Sequence, residues 1–195
     1  MKLIRPTEEH LPSLTAALEQ GWSPNNTRDV SQEELEAVRQ NPSLYLENLI
    51  DREAKGNPIT LPDRSIVLRL PGYRLWLWDG NFCGIIGFRW QHCTPDLPPY
   101  CLGHIGYAVV PWKRRRGYAT QALQQLLPIV KLEGLPYVEI TTDPDNYPSR
   151  RVIEANGGIL VGEFIKAAVY GGSTSLRYRI FTDNIQPKAL DGLGI

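Results

Sequence analysis

Apolar positions along this chain recur with two periods, one of two residues and one near three and a half, and the switches between them mark the predicted elements. Lys2 to Arg5 reads as a short first strand that Pro6 stops. Thr7 then caps a helix with Glu8 and Glu9 in its first turn and Leu11, Leu14, Leu18 and Trp22 as its apolar stripe. Beyond a loop from Ser23 to Val30, Ser31-Gln-Glu-Glu34 reads as a capping box for a second helix with Leu35 and Val38 inward. Asn41-Pro42-Ser43 opens a third, through Leu46, Leu49 and Ile50, and Gly56 to Ser65 is a loop. The period then shortens. Ile66 to Leu70 is a strand fragment, and Tyr73 to Trp78 pairs with Phe82 to Trp90 across Asp79-Gly80, a hairpin signal. After a proline-rich loop comes a buried strand, Gly103 to Val110. From Gly117 onward Ala119, Ala122, Leu123, Leu126, Leu127 and Val130 share one helical face. Tyr137 to Thr142 is the next strand, and Pro148 sits in the first turn of a helix that Gly157-Gly158 ends. Ile159 to Phe164 and Leu176 to Phe181 read as a final antiparallel pair.

The strand at Gly103–Val110, the helix after it and the strand at Tyr137–Thr142 form a βαβ unit, so those two strands should run parallel and neighbour each other. The other strands should be antiparallel. The expected class is α/β, a mixed sheet with helices on both faces. The length suits one compact unit, placed at residues 1–181, with a loosely ordered tail over 182–195.

Charge sharpens this picture in one place. The chain carries 21 basic and 21 acidic residues, so it is no general electrostatic glove for nucleic acid. Four consecutive cations nevertheless stand at Lys113, Arg114, Arg115 and Arg116, between a strand and a helix. The first turn of a helix offers backbone N–H groups without intrahelical partners at the positive end of its dipole. Gly117 lets an anion approach the backbone closely. The run can also be read as a solvated basic turn or a nucleic-acid contact. The neutral overall charge and the adjoining helix start favour the phosphate of a small ligand. Cys83, Cys93 and Cys101 cannot all pair within one chain and none are spaced as Cys-x-x-Cys, so a reduced, cytoplasmic setting without a metal site is expected. No apolar run reaches membrane-spanning length, and no membrane partner is expected.

Three motifs in order carry a resemblance: Arg114-Arg-Arg-Gly117-Tyr-Ala119, then Asn146-x-x-Ser149 followed by Arg150 and Arg151, then Glu154-Ala-Asn-Gly157-Gly158. With the element order, they resemble the GNAT superfamily of acetyl-CoA-dependent N-acetyltransferases. The likeness covers roughly residues 2–181. It implies a mostly antiparallel sheet of about seven strands with a splayed parallel central pair. It also implies that Tyr107, Ala108 and Val109 pair with the pantetheine arm of acetyl-CoA as if it were another strand. Arg114 opens the signature, and the backbone of Arg115, Arg116, Gly117, Tyr118, Ala119 and Thr120 matches the pyrophosphate cradle. Asn146 matches a residue that contacts the arm, with Ser149 and Arg150 one turn on towards the adenosine end.

The reaction so implied is attack by a primary amine, on a small molecule or a protein, on the thioester carbonyl. A lysine-like amine is only ~0.04% neutral at pH 7, so proton removal must be assisted. The family's acid position, seven residues after the Asn, is Ile153 here, and its base position, five before, is Thr141. His104 stands where relatives with an EIGY-like strand have Glu and is the candidate base. A lone histidine on a strand is more often an ordinary polar residue than a base. The backbone N–H of Val109 is the candidate oxyanion donor. Tyr107, Tyr147 and Tyr170 are unranked candidates for an acid. The acceptor cleft is expected among the helices within 21–56, the loop before Tyr73 and the strands around Tyr170. Trp76, Trp78 and Trp90 either line it or pack across the hairpin. A catalytically silent acyl-CoA-binding module is the competing expectation. Dimerisation is compatible with the implied fold.

Overall fold

The structure is a computed structural model and describes residues 1–25, 28–61, 63–188 and 193. Two sheets share its centre. The first runs in the order β1 (Lys2–Ile4), β5 (Gly72–Trp78), β6 (Phe82–Arg89), β7 (Ile105–Val109), with the two-residue β2 (Ile50–Asp51) also on β5. The second is β8 (Tyr137–Thr142), β10 (Thr174–Phe181), β9 (Ile159–Ile165). A small ladder of β3 (Ile59–Thr60) and β4 (Ile66–Val67) stands apart, with β3 inside a stretch that reads as loop. Every ladder is antiparallel. The strands β7 and β8 neighbour each other as expected, but they form no ladder: they meet at one point and part.

Helices cover both faces because their apolar stripes demand it. On one face α4 (Tyr118–Val130) and α5 (Tyr147–Glu154) bury Leu123, Leu126, Leu127 and Ile153 against Leu75, Ile86, Val138 and Tyr178. On the other, α1 (Leu11–Glu19) and α2 (Ser31–Gln40) press Leu14, Leu18 and Leu35 onto Trp76, Phe82 and Ile85. Asn41 caps α3 (Pro42–Glu47), its Oδ1 accepting from the Leu44 N–H at 3.0 Å.

Two sequence expectations need correction, and of the two alternatives for the hairpin tryptophans packing holds. The capping box at Ser31 does not form: Val30 is the N-cap, the Ser31 N–H donates to Asp29 Oδ1 at 2.8 Å, and Glu34 pairs elsewhere. The hairpin tryptophans are packing residues. Trp76 meets Phe82 edge-on, Trp90 stacks on Phe88 and Trp78 meets His10. The described tail is fastened rather than loose. The Thr182 N–H donates to the Pro136 carbonyl at 3.0 Å and the Lys188 N–H to that of Pro128 at 3.1 Å, while Leu193 is buried in the core. Residues 189–192, 194 and 195 of that tail lie outside the described residues, as do Asn26, Thr27 and Pro62 of the predicted loops.

Candidate active site

The parting of β7 and β8 builds the site. The Arg89 N–H donates to the His104 carbonyl at 2.9 Å and the Val110 N–H to that of Cys83 at 3.0 Å. These bonds fix the phase of the β6–β7 ladder. Alternate residues of an antiparallel strand point their N–H and C=O groups to opposite sides. His104, Gly106, Ala108 and Val110 therefore bond to β6, and the backbone groups of Ile105, Tyr107 and Val109 face outward. On β8 the bond from the Thr182 N–H to the Pro136 carbonyl sets the phase, so Glu139 and Thr141 face β7. The strands touch only at the start. The His104 N–H donates to the Glu139 carbonyl at 2.8 Å, and the Glu139 N–H donates to the His104 Nδ1 at 3.0 Å. A Cβ on Gly103 would stand 3.1 Å from the Glu139 oxygen, so this close approach suits glycine. Beyond that vertex the outward groups of β7 have no strand partner, and the wedge opens.

His104 is thus the pin of the wedge and not a base facing it. Its ring is 0% exposed and lines no part of the cleft. Accepting the Glu139 amide requires an unprotonated Nδ1, so the neutral ring carries its proton on Nε2. The Pro95 carbonyl faces Nε2 without completing a hydrogen bond. Burial, aided by Arg89 and Arg179 and opposed by Glu139, lowers its pKa from 6.5 to about 4. An imidazole that never meets the amine cannot take its proton.

The mouth of the wedge leads to the start of α4. Gly117 is the N-cap with φ +73°, and Arg115 two residues earlier has φ +60°, both left-handed. Glycine is required at 117 by that dihedral and not by crowding, since a Cβ there would meet only Gln121 Nε2 at 3.7 Å. Among the described residues the backbone N–H groups of Arg115, Arg116, Gly117, Tyr118, Ala119 and Thr120 have no acceptor. Consecutive free amides at a helix N-terminus are the physical requirement for holding an anion.

The basic run divides its labour. Lys113 donates to both carboxylate oxygens of Asp79 at 3.0 and 2.8 Å, and Tyr118 donates to Oδ2 of the same group at 2.7 Å. Burial alone would raise the Asp79 pKa; the bonds from Lys113 and Tyr118 outweigh it and hold the carboxyl well below the usual range. This clamp ties the hairpin turn to the cradle. Arg114 donates through Nε to the Val109 carbonyl at 3.1 Å. Arg114, Arg115, Gly117, Tyr118, Ala119 and Thr120 line the cleft, and Arg116 does not.

From α5, Asn146 caps the helix by accepting the Ser149 N–H at 3.2 Å, and both residues line the cleft. The Ser149 hydroxyl bonds Tyr107 Oη at 2.8 Å across the wedge. Burial raises the Tyr107 pKa to about 12, against the pull of that bond. Arg150 is a correction: it donates to Tyr178 Oη at 3.2 Å and to the Pro144 carbonyl at 3.1 Å, away from the cleft. Arg151 lines the cleft in its place. Helical phase held the signal, since Pro148, Arg151 and Val152 fall at i, i+3 and i+4. Of the other tyrosines, Tyr147 is exposed under the Arg150 guanidinium, and Tyr170 lines the cleft with its hydroxyl donating to the Tyr100 carbonyl at 2.5 Å.

The wedge continues into one cleft of about 1970 Å³. Its far end is bounded by α2, α3, Asp51, Arg69 and Tyr170. Glu34 there accepts from Arg74 at 3.0 Å and from Tyr45 Oη at 2.8 Å. No cluster of His, Cys, Asp and Glu suited to a metal ion occurs among the described residues, and no helix among them is long and apolar enough to cross a membrane.

A splayed strand pair leading to free amides at a strand–helix junction matches what the sequence resemblance implies. The family described as acetyltransferase (GNAT) domain matches residues 2–159. The chain belongs to the GNAT acetyltransferase family. Solved structures agree in fold. The microcin self-immunity acetyltransferase MccE, in complex with acetyl-CoA and AMP, is 15% identical with a TM-score of 0.59, covering 92% of this chain and 91% of that one. RimL, a ribosomal alpha-N-protein acetyltransferase in complex with coenzyme A, is 18% identical with a TM-score of 0.57 over 93% of each chain. The ribosomal-protein-alanine acetyltransferase of Vibrio fischeri is 16% identical with a TM-score of 0.56, over 95% of this chain and 94% of that one. Among curated proteins none matches.

Proposed function

We propose that this GNAT chain transfers an acetyl group from acetyl-CoA to a primary amine by direct attack on the thioester. The observation that carries the reading is the open wedge running into the free amides of Arg115–Thr120. The outward backbone groups of Tyr107 and Val109 receive the pantetheine arm as an added strand. The amides of Arg115–Thr120 hold the pyrophosphate, with Arg115 and Arg151 neutralising its charge. Asn146 and Ser149 flank the arm. In the transfer a C–N bond forms, the C–S bond breaks, the amine gives up a proton and the thiolate takes one. An outward N–H of the β7 edge, Val109 among them, stabilises the oxyanion. Tyr107 remains protonated at working pH, its pKa standing at about 12. It is the proton donor this reading assigns to the departing thiolate.

A second reading, a catalytically silent acyl-CoA-binding module, has two observations in its favour. His104 is withdrawn from the cleft, and Ile153, at the family's acid position, is fully buried. Thermal unfolding with and without acetyl-CoA tests the shared part. A ligand at 100 times its Kd stabilises by about 2.7 kcal/mol, a midpoint rise of roughly 5–10 °C at this size. Gly117→Val should abolish the rise by forcing a β-branched residue into the left-handed region. No rise with the native chain at millimolar acetyl-CoA would reject both readings. A rise without acetyl transfer to any amine would select the silent module.

A further inference from the structure

Away from the start of α4, the charges along the cleft are paired with one exception. Arg28 is paired with Glu33, Arg69 with Asp51 at 3.9 Å, Arg74 with Glu34 at 3.0 Å and Lys166 with Asp143 at 2.7 Å. These pairs use every carboxylate that lines the cleft. The cations Arg114, Arg115 and Arg151 line the same cleft as the free amides, where a pyrophosphate would neutralise them. Apart from these stands Arg89, the last residue of β6. Among the described residues no hydrogen bond or ion pair involves its guanidinium.

The backbone beneath makes room for it. Gly87 and Gly106 are directly paired across β6 and β7, and both line the cleft. Neither carries a side chain, so the middle of the sheet has a bare floor. The guanidinium lies over that floor, its Nη2 only 3.0 Å from where a Cβ on Gly106 would be. Gly106 neighbours Tyr107 on the strand that edges the wedge, so this cation borders the place where amine and thioester must meet. A half-buried guanidinium without a counter-ion is costly, and its planar fork matches a carboxylate or phosphate.

Resting on the acetyltransferase reading above, we infer that Arg89 binds an anionic group of the acceptor, which is therefore an amine carrying a carboxylate or phosphate. A plain or polycationic amine would leave Arg89 unpaired and meet it as a like charge. Tyr170 and the Glu34–Arg74–Tyr45 network line the same cleft and shape the remainder of the acceptor.

The test uses the full chain, acetyl-CoA and matched amine pairs: amino acids against the amines left by their decarboxylation, and phosphoethanolamine against ethanolamine. The readout is the ratio of kcat/KM within each pair. A charge-assisted bidentate contact is worth roughly 10- to 100-fold, so the anionic member should lead by that factor. Arg89→Gln should collapse the ratio towards one, and Arg89→Lys, keeping the charge without the fork, should give an intermediate value. A preference confined to one set of pairs identifies the anion as carboxylate or as phosphate. A ratio near one in the native chain, or one that Arg89→Gln leaves unmoved, overturns the inference. So does acetyl transfer to none of these amines while acetyl-CoA still stabilises the native chain. Failure of acetyl-CoA to stabilise it counts instead against the acetyltransferase reading beneath.

Discussion

Replacing His104 by leucine separates its two possible roles. Leucine fills a similar volume but accepts no hydrogen bond, so the buried Glu139 N–H that now donates to Nδ1 at 3.0 Å loses its partner. An unsatisfied buried amide costs about 1–3 kcal/mol. At this chain length each kcal/mol moves the midpoint by roughly 2–4 °C, so a fall of roughly 2–12 °C at pH 7.5 is expected. The pH dependence is more diagnostic. The folded chain depresses the His104 pKa from 6.5 to about 4, mainly by burial. Between those values the unfolded chain binds a proton that the folded chain does not. The stabilisation is therefore whole above pH 6.5 and is lost as pH falls towards 4. For this group the loss reaches roughly 2–3 kcal/mol by pH 4.5. Urea unfolding followed by tryptophan fluorescence from pH 7.5 to 4.5 should show the native chain losing that much more stability than His104→Leu. Parallel curves would refute the buried-pin account. So would a pH–rate profile whose inflection near neutrality disappears when His104 is replaced, because that behaviour belongs to a base in contact with substrate.

Three further outcomes follow from the site. Asp79→Asn removes the carboxylate that holds both Lys113 and Tyr118; it should destabilise the chain by about 1–3 kcal/mol and weaken acetyl-CoA binding, read as a smaller ligand-induced rise in midpoint. Arg151→Ala should raise the acetyl-CoA Kd several-fold with a weaker salt dependence, whereas Arg150→Ala, which loses only its bonds to Tyr178 and Pro144, should leave that Kd unchanged by calorimetry. Tyr107→Phe should lower kcat by roughly 100-fold or more while sparing acetyl-CoA binding; an unchanged kcat would remove the phenol from proton transfer.

Much of the fold was legible because local patterns and global packing agree. The stripe of Ala122, Leu123, Leu126 and Leu127 predicts α4 and is what α4 buries. The Asp79-Gly80 turn predicts the hairpin that forms. The turn with free amides before α4 was legible for a related reason. It is built from backbone, and a backbone conformation leaves a mark in sequence wherever it needs glycine, as at Gly117. Side-chain roles leave no such mark. His104 and Glu139 are 35 residues apart, and nothing local shows that the imidazole replaces a carbonyl as acceptor. Lys113 looked like another phosphate ligand until Asp79, 34 residues away, took it. Arg150 and Arg151 are adjacent, and only helical phase separates them.

The same division explains why acetyl-CoA came into view before any acceptor. A chain with equal numbers of acidic and basic residues gives no clue to local charge. Pairing decides it. Glu33, Glu34 and Asp51, which make the N-terminal part look acidic, are each consumed by an arginine in the cleft wall. Counting charges along the sequence therefore does not separate a paired cation from an unpaired one. Subtracting the pairs formed in space leaves two unneutralised regions on one cleft, the cradle end and Arg89. The first suits a pyrophosphate whatever the acceptor is. The second is the one the inference above assigns to the acceptor, and it stands on the glycine floor of Gly87 and Gly106. On that inference, selectivity in this chain depends on the cation left without a partner more than on the number of charges it carries.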